Sequence, residues 1–319
     1  MDRVVVTGAG GFVGHHLVTS LKERGYWVRG VDLKHPPYRP TDADEFLILD
    51  LRRGENCLEA VDGVADVYSL AAEMGGLGFI TANHAAILHD NALIDMHMLE
   101  AARQRGVARF LYPSSACVYP DYRQDATDSA PLKESDVYPA MPQDAYGWEK
   151  LMGEHAAGHY RDEHGLSVRI VRFHNVYGPY GAFDGGREKA PAALCRKVAL
   201  APEGGTVEIW GDGEQTRSFC YIDDCVEGMH RLMMSDHQEP INLGSDRMVS
   251  INQLAEGIIE VSGKRDLRLV HVEGPEGVRG RNSDNSLLRA VLGWEPSIGL
   301  EDGLKSTYRW IEEQVARRV

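Results

Sequence analysis

The 319-residue sequence has no apolar run near the ~20 residues that a membrane-spanning helix requires. Positive charge is also scarce, since 34 Lys and Arg face 48 Asp and Glu and leave a net charge of -14. A protein that binds nucleic acid through its phosphates needs the opposite balance. We therefore expect neither a membrane nor a nucleic acid as partner, while a local basic site for a small anionic ligand stays open.

Patterns typical of disulfide frameworks, metal centres and nucleotide-hydrolysing loops are missing as well. The five cysteines are an odd number without close metal-type pairing. No G-K-[ST] follows the first glycine-rich stretch, which argues against a phosphate-binding loop of the triphosphatase type. The chain enters a strand-like run at once, with no basic segment ahead of an apolar one. These absences predict a soluble cytoplasmic protein with reduced thiols and no metal.

Strand-like and helix-like segments alternate along the first half of the chain. Short runs such as "RVVVTGA", "WVRGVD", "EFLILDL" and "SVRIVRFHNVYG" predict strands, whereas roughly Asn83 to Arg105 and Tyr146 to His164 predict helices. Strands joined by crossover helices predict an α/β fold with a doubly wound, mainly parallel sheet. The later part is richer in Gly, Pro and charged loops, which suits a smaller lobe interleaved with the first.

A glycine-rich turn follows the first predicted strand. Gly8, Gly11 and Gly14 let the backbone approach a pyrophosphate, and the helix that they open offers free N–H groups. Asp32 closes the second strand, where a carboxylate accepts ribose hydroxyls and repels the extra phosphate of NADP, so NAD is the expected cofactor. Asp50 meets the adenine edge or caps its strand. The flanking residues of the expected cofactor site are Phe12, Val13 and Leu51.

The segment "YGWEK" places Tyr146 and Lys150 one helical turn apart and hence on one face. A lysine beside a tyrosine favours the phenolate, which can take a proton from a sugar hydroxyl while hydride leaves the carbon. Ser115, at the end of the predicted strand "RFLYPSS", is the natural partner for the same hydroxyl. The pattern alone is common on surface helices, and it gains weight from the glycine turn and Asp32 that precede it.

Taken in this order, these motifs resemble the extended short-chain dehydrogenase/reductase family over essentially the whole chain. The resemblance implies that Tyr146, Lys150 and Ser115 form the hydride-transfer set. It also implies an NAD-binding domain of about residues 1–172 and 219–244, and a nucleotide-sugar-binding domain of about residues 173–218 and 245–319. Family dimers pair two helices per subunit, which predicts a homodimer through the helices around Asn91–Arg105 and Tyr146–His164.

Cys117 is the residue that separates chemistries within this family. Dehydratases resemble the group but carry an Asp-Glu pair where this chain has Ala116 and Cys117, and simple 4-epimerases have a hydroxyl residue in place of the thiol. A thiol can serve as a base toward a carbon acid when its pKa lies near the working pH. The alternative is a small, buried apolar cysteine.

Longer stretches resemble the branch of the family that inverts two carbons of a GDP-hexose. They include "AAEMGGLGFI", "SSACVYP", "RFHNVYGPYG", "GGREKAPAALCRK", "WGDGEQTRSF" and "GPEGVRGRNSDN". The branch implies an isomerase that oxidises C4 transiently with NAD, removes a proton with Cys117 and returns one from Lys189. GDP-D-mannose would give GDP-L-galactose, or GDP-L-gulose after inversion at C5 alone. Open alternatives are a 4-epimerase, an enzyme for another GDP-hexose or heptose, and a noncatalytic NAD-sensing module.

The same resemblance marks residues for the nucleotide-sugar. Arginines are expected at a diphosphate because the guanidinium binds it bidentately; Arg279 either shares this role or pairs with a carboxylate. The expected substrate-binding residues are Gly75, Ser115, Asn175, Glu188, Lys189, Lys197, Gln215, Arg217 and Arg281.

Overall fold

The computed structural model describes residues 2–318. The strands are β1 (Arg3–Thr7), β2 (Trp27–Asp32), β3 (Glu45–Ile48), β4 (Asp66–Ser69), β5 (Arg109–Ser115), β6 (Val168–Phe173), β7 (Val176–Tyr177), β8 (Thr206–Trp210), β9 (Thr216–Ser218), β10 (Cys220–Tyr221), β11 (Pro240–Leu243), β12 (Met248–Ser250), β13 (Arg268–Val272) and β14 (Gly280–Arg281). The helices are α1 (Phe12–Glu23), α2 (Gly54–Ala60), α3 (Leu77–Ala82), α4 (His84–Arg105), α5 (Ala145–His164), α6 (Ala190–Leu200), α7 (Ile222–Met234), α8 (Ile251–Ser262), α9 (Ser286–Leu292) and α10 (Leu300–Ala316).

A seven-stranded sheet forms the centre of the molecule, in the order β11-β6-β5-β4-β1-β2-β3. Every neighbouring pair in it is parallel. Val4 and Val6 of β1 enter one hydrophobic core, and Val5, between them, enters another on the opposite face. Because alternate residues of a strand point to opposite faces, an apolar run in β1 buries both sides of the sheet. The predicted doubly wound α/β fold is confirmed.

The sequence prediction was wrong for one strand. The run "SVRIVRFHNVYG" suggested a single strand, but β6 ends at Phe173 and β7 pairs with β10 outside the central sheet. Asn175 interrupts the run with a φ of 42°, a left-handed conformation that asparagine tolerates better than most residues. The break turns the chain away from the sheet at its carboxyl edge.

The chain leaves the central sheet after β6 and returns to it at β11, which pairs with β6. The segment between them forms α6, β8 and β9, and the residues after β11 add β12 to β14 to small separate sheets. The order of strands reverses beside β1, whose neighbours are β2 and β4. Parallel sheets bind ligands at the carboxyl ends of strands around such a reversal. The boundaries of the two-domain division stay a prediction.

Candidate functional site

A tight turn at the carboxyl end of β5 holds two of the predicted site residues. Ser115 ends the strand, and its Oγ accepts the N–H of the half-buried Cys117 at 3.1 Å. Helix α5 comes so close to this turn that a Cβ at Gly147 would lie 2.2 Å from the Cys117 carbonyl oxygen. The absence of a side chain at Gly147 therefore brings Tyr146 close to the turn that holds Ser115 and Cys117. The tyrosine–lysine spacing does not reveal this requirement.

Tyr146 and Lys150 both lie on the buried face of α5. The Lys150 Nζ is 5.9 Å from the centre of the Tyr146 ring, within the range of a cation–π contact. Burial raises the pKa of Tyr146 well above its ordinary value, while Lys150 and the Ser115 hydroxyl act to lower it. The structure thus brings Tyr146, Lys150 and Ser115 together, and their joint role in hydride transfer stays a prediction.

Two buried carboxyl groups that sequence reasoning missed flank Lys150. Its Nζ lies 3.4 Å from Asp95 Oδ2 and 3.3 Å from Glu149 Oε1. Burial alone would lower the pKa of Lys150, but the charges of Asp95 and Glu149 reverse that effect and raise it. A signal was available in α4, because Asp95 occupies the same buried face as Asn91 and Met98. A carboxylate there needs a partner.

Cys117 faces positively charged side chains. Arg281 Nη1 donates to its Sγ at 3.3 Å, and Arg281 Nε donates to Gln124 Oε1 at 2.5 Å. The charge of Cys117 acts to raise the pKa of Arg217 and of Lys189.

Lys189 stands immediately before α6 and is accessible to solvent. Desolvation by the surrounding protein nevertheless lowers the pKa of its ammonium group, and the charges of Cys117 and Cys225 oppose this only in part. Within residues 2–318, Lys189 forms no salt bridge. The residue is therefore exposed while its ammonium group is surrounded by protein, and within residues 2–318 no carboxylate pairs with it to hold it permanently charged.

The segment that carries Lys189 is held against the loop after β4. A Cβ at Gly76 would lie 2.1 Å from the Glu188 carbonyl oxygen, and the Gly76 N–H donates to the Arg187 carbonyl at 3.0 Å. Arg187 also pairs with Glu73 at 2.6 Å. The absence of a side chain at Gly76 thus determines how closely the two segments approach.

The predicted substrate residues Glu188 and Lys197 already have partners within the protein. The Glu188 carboxylate accepts the Gly186 N–H at 2.7 Å and a bond from Arg196 at 3.2 Å. Lys197 Nζ donates to the Glu208 carbonyl oxygen at 2.9 Å. A ligand at either residue would share it with these groups.

The three arginines considered for the diphosphate divide into two kinds. Arg279 is paired with Asp212 at 3.0 Å and Glu276 at 3.1 Å, so the carboxylate alternative describes it. Arg217 donates to backbone carbonyls, and desolvation followed by the charge of Arg281 lowers its pKa. Among residues 2–318, no carboxylate forms a salt bridge with Arg217 or Arg281, which suits an anionic ligand.

Three further predicted substrate residues are placed as follows. Gly75 is buried, and a Cβ there would lie 2.7 Å from the side chain of Phe79. Asn175 donates to the Ser218 carbonyl oxygen at 2.9 Å. Gln215 is buried, and its Oε1 has no hydrogen-bond partner within the part of the chain that the structure describes. That unpaired acceptor is free for a ligand donor.

The glycine-rich turn has the backbone that a dinucleotide requires. Gly8 has a φ of +68°, and a Cβ at Gly14 would lie 2.2 Å from the Gly8 carbonyl oxygen. No side chain caps α1 at Gly11, so the N–H groups of its first turn are available. Asp32 is half-buried at the end of β2, and its Oδ2 accepts the Gly10 N–H at 2.9 Å. Burial raises the pKa of Asp32. These residues fit NAD.

The other predicted cofactor residues lie around this turn. Phe12 and Val13 begin α1, and Leu51 is buried just after β3. The Asp50 carboxylate pairs with Arg52 at 2.8 Å, and this hydrogen bond lowers its pKa. Asp50 therefore stabilises a local turn through Arg52, and its contact with the cofactor stays a prediction.

Two kinds of feature are not found in residues 2–318. No cluster of His, Cys, Asp and Glu there could hold a metal ion. None of the described helices is both long and apolar enough to cross a membrane.

Comparison with known proteins gives one matching family model and close relatives. Residues 4–244 match the NAD dependent epimerase/dehydratase family. The chain is 51% identical over 317 residues to GDP-mannose 3,5-epimerase of Arabidopsis thaliana, covering 99% of this chain and 83% of the relative. GDP-mannose 3,5-epimerase 1 of Oryza sativa subsp. japonica gives the same identity and coverage.

Two solved structures with the same fold are nucleotide-sugar epimerases. UDP-glucose 4-epimerase of Thermotoga maritima, solved with UDP-glucose, has a TM-score of 0.87 at 27% identity and covers 98% of this chain and 99% of its own. UDP-glucuronic acid 4-epimerase of Bacillus cereus, solved with UDP-glucuronic acid and NAD, has a TM-score of 0.83 at 26% identity, with the same coverage.

Proposed function

Because the chain belongs to the NAD-dependent epimerase/dehydratase family, we propose that it inverts C3 and C5 of GDP-mannose. The expected product is GDP-L-galactose, with GDP-L-gulose after inversion at C5 alone. The protein is an enzyme, and its cofactor is NAD. The choice of substrate rests on the 51% identity to the plant 3,5-epimerases, which extends over 99% of this chain.

The first task of the site is to remove hydrogen from C4 of the sugar. NAD, when bound, supplies a reversible hydride acceptor for that carbon. Tyr146 takes the hydroxyl proton, since Lys150 lies beside its ring and favours the phenolate. Ser115 is buried next to Tyr146 and orients the same hydroxyl. Asp32 and the glycine turn hold the cofactor.

The second task is to exchange protons at the neighbouring carbons. A carbonyl at C4 acidifies the protons on C3 and C5, and Cys117 accepts one as a thiolate supported by Arg281. Lys189 returns a proton from the other face, and its lowered pKa suits that exchange. Reduction of C4 then restores the alcohol, so the cofactor is not consumed.

We assign the diphosphate to Arg217 and Arg281, whose guanidinium groups have no carboxylate partner in the part of the chain that the structure describes. Asn175, Glu188, Lys197, Gln215 and Gly75 complete the proposed substrate site. This assignment makes residues of about 173–218 and 245–319 the nucleotide-sugar-binding domain, and about 1–172 with 219–244 the NAD-binding domain.

We propose that two copies associate through α4 and α5. Leu88, Trp148 and Met152 are each more than 40% exposed on these helices, which is unusual for large apolar side chains. Trp148→Glu is expected to shift the mass measured by light scattering from dimer to monomer; an unchanged dimer would reject this surface.

We also propose a cytoplasmic location, supported by five free cysteines.

Incubation with GDP-mannose in heavy water, followed by NMR, tests the proposed reaction. We expect deuterium at both C3 and C5, because each inverted carbon receives its proton from solvent-exchangeable groups. Label at C5 alone would indicate a one-centre epimerase. Inversion at C4 without label would identify the 4-epimerase chemistry of the structural relatives and reject the roles of Cys117 and Lys189.

Cys117→Ala provides the matched test of the thiol. We expect this variant to bind NAD as the wild type does and to lose deuterium exchange by about 10²- to 10⁴-fold, the usual contribution of a positioned base. Unchanged exchange would reject Cys117 as the base. Loss of NAD binding together with exchange would point to a structural role instead.

A further inference from the structure

Three ionisable side chains meet in a region with almost no solvent. Lys150 is 1% exposed, Asp95 2% and Glu149 0%. Both carboxyl groups lie within 3.4 Å of the one Lys150 nitrogen. If both were ionised, the cluster would hold a net negative charge with no second cation, which a buried site opposes strongly.

The hydrogen bonds around the two carboxyl groups are unequal. Asp95 Oδ2 accepts the Tyr112 O–H at 2.9 Å in addition to its contact with Lys150. Glu149 Oε2 accepts only an amide N–H, from Asn91 at 3.2 Å. Lys150 contacts both carboxyl groups, so they differ in the remaining donor, which is a hydroxyl at 2.9 Å for Asp95 and an amide at 3.2 Å for Glu149. The shorter hydrogen bond makes Asp95 the better site for the negative charge and Glu149 the better site for a proton.

Electrostatics supports the same division. Burial raises the pKa of Glu149, and the charge of Lys150 opposes this rise. The charge of Asp95, and a hydrogen bond between Glu149 and Asp95, raise the pKa of Glu149 further. The other titratable groups facing the cluster are Tyr146 of α5, and Tyr112 of β5 with Glu154 near it. None of them adds a second positive charge.

We propose that Asp95 and Glu149 share one proton and act as interchangeable counter-ions that keep Lys150 charged. They are positioning residues, because they act on Tyr146 through Lys150 and do not contact the sugar. The proposal rests on the proposed function for the role of Tyr146, but the shared proton is a property of the protein alone. Either carboxyl group can take the full charge when the other is replaced by a neutral amide.

Infrared spectroscopy of the protein without substrate tests the shared proton directly. We expect a protonated carboxylic acid band at neutral pH that disappears in Asp95→Asn and also in Glu149→Gln, since the remaining carboxyl group ionises in each case. Asp66→Asn is the matched control, because Asp66 is a fully buried carboxylate paired with Arg109 at the amino ends of β4 and β5. Difference spectra that retain the band in both variants would overturn the proposal.

A double-mutant cycle tests the effect on Tyr146. We expect each single variant to keep kcat/KM within about tenfold of the wild type, and the double variant to lose roughly a hundredfold more than the two single losses predict. Without either counter-ion Lys150 loses its charge, so the pKa of Tyr146 rises and the acidic limb of the pH profile moves to higher pH. Additive losses with an unshifted limb would refute the interchange of the two groups.

The two measurements separate this proposal from the proposed function. A wild type that shows the shared-proton band but no exchange with GDP-mannose would leave the carboxyl pair intact and reject the substrate. Normal exchange without the band would reject the carboxyl pair and leave the reaction intact.

Discussion

Two lysines of the site stand in opposite surroundings. Lys150 is buried between two carboxyl groups, and their charges raise its pKa. Lys189 is exposed as a residue and forms no salt bridge in residues 2–318, and desolvation of its ammonium group lowers its pKa. One environment holds a permanent cation, and the other permits an amine that gains and loses a proton.

This difference matches the two tasks proposed for the site. Hydride transfer needs a constant positive charge beside Tyr146, and a rigid buried network supplies it. Proton return needs a group whose pKa lies closer to the working pH, and desolvation lowers the pKa of Lys189 in that direction. The same residue type thus serves as electrostatic support at one end and as the proposed acid at the other.

Replacement of Lys189 by arginine should give the largest effect. Lys189→Arg keeps the positive charge, but a guanidinium does not release its proton in a protein. We expect deuterium exchange with GDP-mannose to fall about 10²- to 10⁴-fold, with NAD binding unchanged. Exchange near the wild-type rate would mean that Lys189 serves only as a charge.

The pH profile sharpens the same comparison. An acid must be protonated to act, so the rate should fall as pH rises through the pKa of Lys189. Because desolvation lowers that pKa, the alkaline limb of exchange should lie below the ordinary lysine value. An alkaline limb at or above the ordinary pKa of lysine would show that Lys150, not Lys189, governs the fall in rate.

Sequence reasoning identified the parts of the site that depend on local spacing. Tyr146 and Lys150 share a face because of the helical period, and Asp32 lies at the end of an apolar strand. Such relations span a few residues and follow from backbone geometry alone. They were sufficient for the central sheet and the glycine turn.

The missed residues depend on contacts between distant segments. Gly76 and Glu188 approach because two loops meet across the cleft, and Asp95 meets Lys150 because α4 packs on α5. No local period records such a contact. The break at Asn175 was missed for a different reason, since an apolar run on both sides hid one left-handed residue.

Gly76→Ala should have an intermediate effect on deuterium exchange, because it displaces the segment that carries Lys189. The new Cβ would lie 2.1 Å from the Glu188 carbonyl oxygen, a backbone atom that can move only with its segment. Overpacking of this kind costs about 1–3 kcal/mol, so we expect exchange to fall roughly tenfold or more as Lys189 is displaced. Gly78→Ala is the control, because its Cβ would lie 3.9 Å from the nearest side-chain atom, on Trp210. Equal activities of the two variants would refute the close approach.

The smallest effect is expected for the salt bridge between Arg187 and Glu73. Its partners are 49% and 29% exposed, and exposed ion pairs contribute at most about 1 kcal/mol. Arg187→Ala should therefore lower exchange less than about fivefold, with the backbone bond from Gly76 still holding the segment. Arg247→Ala, which removes an exposed pair with Glu301, is the matched control for charge loss. A loss of exchange in Arg187→Ala as large as that in Lys189→Arg would mean that side-chain pairing, and not the backbone contact at Gly76, positions Lys189.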